Sequence, residues 1–97
     1  MFTLVFTDTA KKQLKKLKGS NTYQKQYNAV CKTLKYLADD PRHPGLQTHK
    51  FESLSLKAGL SVFEAYAENK TSSAFIIFFS YGPGEKEITV LSIIKHP

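Results

Sequence analysis

Hydrophobic and polar positions change their period part-way along this chain of 97 residues. Phe2-Thr3-Leu4-Val5-Phe6 is short and β-prone, and it runs into the cap-rich Thr7-Asp8-Thr9, the pattern of a strand handing over to a helix. Ala10, Leu14 and Leu17 then recur at helical spacing while lysines fill the other faces. Gly19 ends that helix, and Ser20 or Asn21 can cap a second, whose apolar stripe is Tyr23, Tyr27, Val30, Cys31, Leu34 and Leu37 with Lys25, Lys32 and Lys35 off it. Two amphipathic helices joined at Gly19-Ser20 predict an antiparallel hairpin. Asp40-Pro41 stops the second helix, because a residue before proline is pushed out of the helical region, and Pro44-Gly45 extends the break into a loop.

Beyond that loop the period becomes two. Leu60, Val62, Glu64 and Tyr66 alternate with Ser61, Phe63, Ala65 and Ala67, so one strand face carries a carboxylate among apolar neighbours. Residues 74–81 are apolar on both faces, as in a central strand. Asn69 to Ser73 reads as the hairpin between these strands, Gly82-Pro83-Gly84 as the next turn, and Ile88 to Ile94 as the last long strand. His49 to Leu54 is expected to add a short strand. The order predicts one α+β domain over residues 1–97: an N-terminal strand, then an antiparallel two-helix hairpin packed on a mostly antiparallel curved sheet of four to five strands.

Charge is distributed unevenly over this frame. Eight of the fourteen Lys and Arg residues fall in the first 38 positions against one acid, Asp8, whereas from Asp39 onward six bases meet seven acids. The whole surplus of +6 therefore sits in the N-terminal part, where Lys11, Lys12, Lys15, Lys16 and Lys18 crowd into eight residues. Such density attracts a phosphate chain or an acidic protein by Coulomb attraction and counterion release; its other use is as a solvated helix face. The single cysteine, Cys31, excludes an internal disulfide, fits a reducing cytoplasm, and is expected to be buried on its helix. The start reads as no signal peptide, and no apolar run is long enough to cross a membrane. Three dispersed histidines lack metal-ligand spacing, and phosphate-loop and dinucleotide glycine patterns are missing, so no cofactor is expected.

The basic first helix, the stretch from Leu37 to Gly45, the strand Phe63-Glu64-Ala65-Tyr66 followed by Glu68-Asn69-Lys70-Thr71, the turn Ser80-Tyr81-Gly82-Pro83-Gly84 and the closing Lys95-His96-Pro97 together resemble the RelE/ParE toxins of bacterial toxin-antitoxin pairs. The resemblance implies a RelE-like fold and a small basic toxin, neutralised by an acidic cognate antitoxin, that reaches operator DNA only through the antitoxin complex and does not engage membranes. RelE-like members cleave mRNA in the ribosomal A site; ParE-like members inhibit DNA gyrase.

Metal-free RNA cleavage needs a base for the 2′-hydroxyl, cations for the in-line phosphate and an acid for the leaving 5′-oxygen. The resemblance places the base on the short strand after the helix-linking loop, at Glu52 or Lys50, and a proton donor or stacking group near the C-terminus, at His96. It assigns RNA contacts to the helical lysines already named together with Lys25 and Lys32, to Lys70 in the hairpin loop, to Tyr81 as a stacking platform and to Lys95. Glu64 either orients a base, if its face lines the groove, or only marks the outer face. Arg42 and His43 read as loop surface. One departure bears on activity: active RelE-like toxins generally carry a phosphate-clamping arginine early in the central strand, and here Ile76 stands there. The leading expectation is thus a cytoplasmic, ribosome-associated mRNA endonuclease, weakened by Ile76. Its rivals are a decayed toxin acting through antitoxin and operator binding, a ParE-like gyrase inhibitor, and a general RNA-binding module.

Overall fold

The computed structural model describes residues 1–68 and 74–96. Strand β1 (Thr3–Phe6) leads into helix α1 (Asp8–Lys18), then α2 (Gln24–Asp39), a 3-10 turn at Pro44–Leu46, β2 (His49–Lys50), a third helix α3 (Glu52–Ala58), and β3 (Phe63–Ala67), β4 (Phe75–Tyr81) and β5 (Glu87–Lys95). The five strands form one sheet in the order β1-β5-β4-β3-β2, in which only the β1–β5 pair is parallel. The expected α+β architecture is therefore the one the chain adopts.

Helix α1 forms where its side-chain cap falls. Thr7 accepts the Ala10 N–H with its hydroxyl oxygen at 3.1 Å and donates the same hydroxyl to the Leu91 carbonyl at 2.7 Å, so one residue both starts α1 and ties it to β5. Gln13, further along α1, accepts the Ile93 N–H at 2.6 Å. These two side chains cover the edge of β5 just past Val90, where the pairing with β1 stops. Ser20 accepts the Tyr23 N–H at 3.3 Å in the turn before α2, so it shapes the entry but does not cap the helix, whose N-cap is Tyr23.

The alternation in β3, β4 and β5 sorts the core into two parts. On one face Ala65, Ala67, Ile77, Phe79, Ile88, Val90 and Ile93 pack against Ala10, Leu17, Val30, Leu34 and Leu37 of the helical hairpin. On the other face Val62, Tyr66, Ile76 and Phe78 form a smaller cluster that Phe51, Leu54 and Leu91 partly cover. A bulge between Phe78 and Phe79 shifts the β4–β5 register and leaves Leu91 unpaired in the ladder.

One element differs from the sequence reading. The strand expected from His49 to Leu54 stops at Lys50, and Glu52 opens helix α3 instead. Good helix formers follow it, an acid sits in the first turn, and Gly59 closes the helix in the left-handed conformation at φ 72°. Ser55 fixes α3 to the sheet: its hydroxyl accepts the Val62 N–H at 2.8 Å and donates to the Phe51 carbonyl at 2.8 Å. Cys31 is half-buried rather than fully buried.

Candidate functional site

The shortness of β2 decides what lies on the open face. Its antiparallel register puts His49 directly opposite Glu64, and Lys50 opposite Phe63. Glu64 shares the face of Val62 and Tyr66, as the alternation requires, and is only 7% exposed. A carboxylate that deep needs a partner. His49 supplies it, with Nε2 against Glu64 Oε1, while the half-exposed imidazole directs Nδ1 at the Gln47 carbonyl at 3.0 Å. Both ring nitrogens thus face oxygen atoms.

Tyr66 completes the arrangement. Its ring stacks on His49 with centroids 6.0 Å apart, and His96 lies against it at 5.7 Å. Its hydroxyl is 3.4 Å from Glu64 Oε1. Burial, the nearby Glu64 charge and that hydrogen bond all raise the Tyr66 phenol above its ordinary pKa. Two imidazoles therefore flank one buried, protonated phenol, with a buried carboxylate holding one of them.

The sequence-derived candidates separate into groups. His96 belongs to this cluster. Lys50 follows His49 on the exposed edge strand but alternates to the face of Phe63, and its ammonium pairs with Glu52 at 3.8 Å. Glu52 stands in the first turn of α3, not on the strand proposed for it. The helical lysines are exposed on the hairpin, across the sheet from Glu64. Of these, Lys11, Lys15 and Lys18 ring a recess over Phe6, Leu14 and Tyr27, while Lys12 and Lys25 stand free of it in solvent. Lys32 lies over the Tyr36 ring at 5.8 Å. Lys95 also points to the helical side, with Nζ 3.4 Å from the Tyr23 hydroxyl, and shares a cleft with Lys16. Tyr81 packs edge-on against Phe63 and Phe79. Lys70 falls outside the described residues. The α1 lysines and the His49–Tyr66 cluster thus lie on different sides of the sheet, while Lys32 of α2 lines a small cavity that also reaches Tyr66.

His49 and Tyr66 are the members that sequence reasoning missed. The only signal was the pairing of His49 with Glu64, fifteen positions later, and a register across an intervening helix leaves no trace in spacing. Ile76 is 4% exposed and sits between Val62, Tyr66 and Phe78, so the position expected to carry an arginine is part of an apolar strip. Among the described residues no group of three or more His, Cys, Asp and Glu side chains is placed to hold a metal, and no helix is long and apolar enough to cross a membrane.

The backbone matches the crystal structure of YafQ from E. coli strain BL21(DE3) with a TM-score of 0.67, covering 98% of this chain and 93% of that one. The chain has the YafQ fold. Sequence identity with YafQ is 12%, so the likeness is one of architecture, and it agrees with the RelE-like fold that the sequence motifs imply. No protein-family model matches the sequence, and no curated protein is similar to it.

Proposed function

We propose that this protein is the toxin of a toxin-antitoxin pair and cleaves mRNA on the ribosome without a metal. The observation that carries the reading is the placement of His49, Glu64, Tyr66 and His96 on the open face of a YafQ-like fold. In-line cleavage of RNA requires one group to take the proton from the 2′-hydroxyl as its oxygen attacks phosphorus. A second must give a proton to the 5′-oxygen as the P–O bond breaks. His49, placed between Glu64 and the Gln47 carbonyl, is the proton donor, and His96 is the base. Tyr66 is a positioning residue that keeps both rings in place. Lys50 takes the phosphate, with Glu52 as its counter-ion until RNA displaces it.

The lysine-rich hairpin has a separate role. Its exposed ammonium groups, with Lys95, engage ribosomal RNA while the opposite face meets the message. An acidic antitoxin is the partner such a surface fits, and operator DNA is reached only through that complex. The reading places the protein in the cytoplasm.

Primer extension on programmed ribosomes tests it. His49→Gln and His96→Ala are each expected to lower cleavage by at least about a hundred-fold with the circular dichroism spectrum unchanged. Cleavage that survives both substitutions overturns the assignment. A second reading is favoured by one observation, the burial of Ile76 in the apolar strip: a decayed toxin that retains antitoxin binding. Absence of cleavage by the wild-type protein, with antitoxin binding intact, selects it.

A further inference from the structure

The sequence reading treated Arg42 as loop surface, and it is the only arginine in the chain. In the structure it lines a cleft of about 410 Å³ together with His43, Gln47, His49, Phe63 and Tyr81. None of the residues around this cleft is acidic. His49 is shared with the proposed site, so the cleft opens next to the imidazole that faces Glu64.

The loop that carries Arg42 is held in shape. Its backbone N–H donates to Asp40 Oδ1 at 3.0 Å, Pro41 is buried, and the Thr48 hydroxyl donates to the Pro41 carbonyl at 3.1 Å. The His43 ring stacks on Tyr36 at 5.5 Å, nearly parallel. Its Nδ1 accepts the Gly45 N–H at 3.0 Å, which in the neutral ring leaves Nε2–H as a donor. A Cβ at Gly45 would stand 3.1 Å from that ring, so a side chain there would have to push the imidazole aside. Among the described residues the Arg42 guanidinium has no carboxylate partner. Across the cleft, Tyr81 is propped edge-on by Phe63 at 5.3 Å and remains 43% exposed. A forked cation with no counter-ion, opposite an exposed and braced aromatic ring, is the combination that grips a nucleotide by phosphate and base.

We infer that this cleft is a nucleotide subsite: Tyr81 stacks on one base of a single-stranded RNA and Arg42 binds its phosphate, so the strand is led past His49. The inference rests on the function proposed above for the direction of the strand, and it supplies a guanidinium clamp from the loop where Ile76 leaves the central strand without one. An acidic peptide would find the same cation but has no use for an exposed stacking ring beside a proton donor.

The test uses the full chain and a short RNA with a 2′-deoxy sugar at the scissile position, which binds without being cut. Fluorescence anisotropy across a salt series is expected to show Arg42→Ala weakening binding about ten-fold and flattening the slope of log K against log salt by about one. Arg42→Lys should recover only part of the loss. Tyr81→Leu should weaken binding by about five- to ten-fold, and Tyr81→Phe should restore it. Wild-type affinity in both Arg42→Ala and Tyr81→Leu overturns the inference, as does a glutamate-rich peptide whose binding those variants abolish while RNA binding is unaffected. The two proposals fail separately. If the variants weaken RNA binding but wild-type protein cuts nothing on ribosomes, the nuclease reading falls and the subsite stands. If His49 and His96 substitutions stop cleavage while the Arg42 and Tyr81 variants bind and cut normally, only the subsite falls.

Discussion

The same three strands present opposite characters on their two faces. Toward the helices, Ala65, Ile77, Phe79 and Val90 are sealed under α1 and α2, and every side chain serves packing. Toward the other side, Val62, Ile76 and Phe78 are partly covered by the short α3, its leading Phe51 and Leu91 of β5, and a buried carboxylate with two imidazoles stands at the end of the apolar strip. The sealed face sets the architecture, and the thinly covered face is where polar chemistry persists at low exposure. The difference lies in which elements cover which alternate positions, since the backbone is common to both.

Truncation breaks the comparison most strongly. Phe79, fully buried under the hairpin, is expected to cost about 3–5 kcal/mol when replaced by alanine, read from urea unfolding. Leu54, half-covered on α3, should cost about 1–2 kcal/mol by the same measurement, because its site already borders solvent and collapses more readily. Equal losses would mean that the second face is as sealed as the first.

Ile76→Arg comes next. The resemblance to RelE-like toxins suggests that an arginine here would restore a phosphate clamp, but Ile76 is enclosed by Val62, Tyr66 and Phe78. The carboxylate nearest to it on that face, Glu64, is already held by His49, so a guanidinium at that depth must either compete for it or bend its stem toward the apolar cleft beside Leu54 and Ile94 to reach water. The substitution should therefore cost about 2–3 kcal/mol and leave cleavage unimproved. A stable variant with raised cleavage on programmed ribosomes would show that the strip is a vacated catalytic groove.

The helix-side face was largely legible in the sequence, because both of its codes are local: the stripe through Val30, Leu34 and Leu37 has a helical period, and Phe63, Ala65 and Ala67 alternate. The stops at Gly19 and at Asp40-Pro41 are equally local. The open face was not legible to the same degree. Phe51 and Leu54 are three apart, a spacing that suits one turn of helix, but the β-prone His49-Lys50-Phe51 before it drew the whole segment into a strand. The partnership of His49 with Glu64 depends on a two-residue strand folding back across α3 onto β3, a tertiary fact with no period. The lysine run was visible as charge, yet nothing in its spacing told which side of the sheet it would occupy. That is decided by the apolar stripe of α1 facing β5.

The smallest expected effect separates the faces by pH. Tyr66 is the buried phenol of the open face, and its raised pKa means that the folded protein holds the phenolic proton more tightly than the unfolded chain does. Below about pH 10, the ordinary tyrosine value, both states keep the proton and stability is unaffected by this group. Above it the unfolded chain releases the proton first, so folding stability falls as pH rises toward the folded-state value, by at most about 1.4 kcal/mol per pH unit inside that window. Tyr66→Phe keeps the ring between His49 and His96 but has no proton to lose. The midpoint of thermal unfolding should therefore decline more steeply above pH 10 in the wild type than in Tyr66→Phe, while the other tyrosines contribute alike to both. Parallel curves would place the Tyr66 hydroxyl in water, and the open face would then lack the buried polar core on which the pairing of the two imidazoles depends.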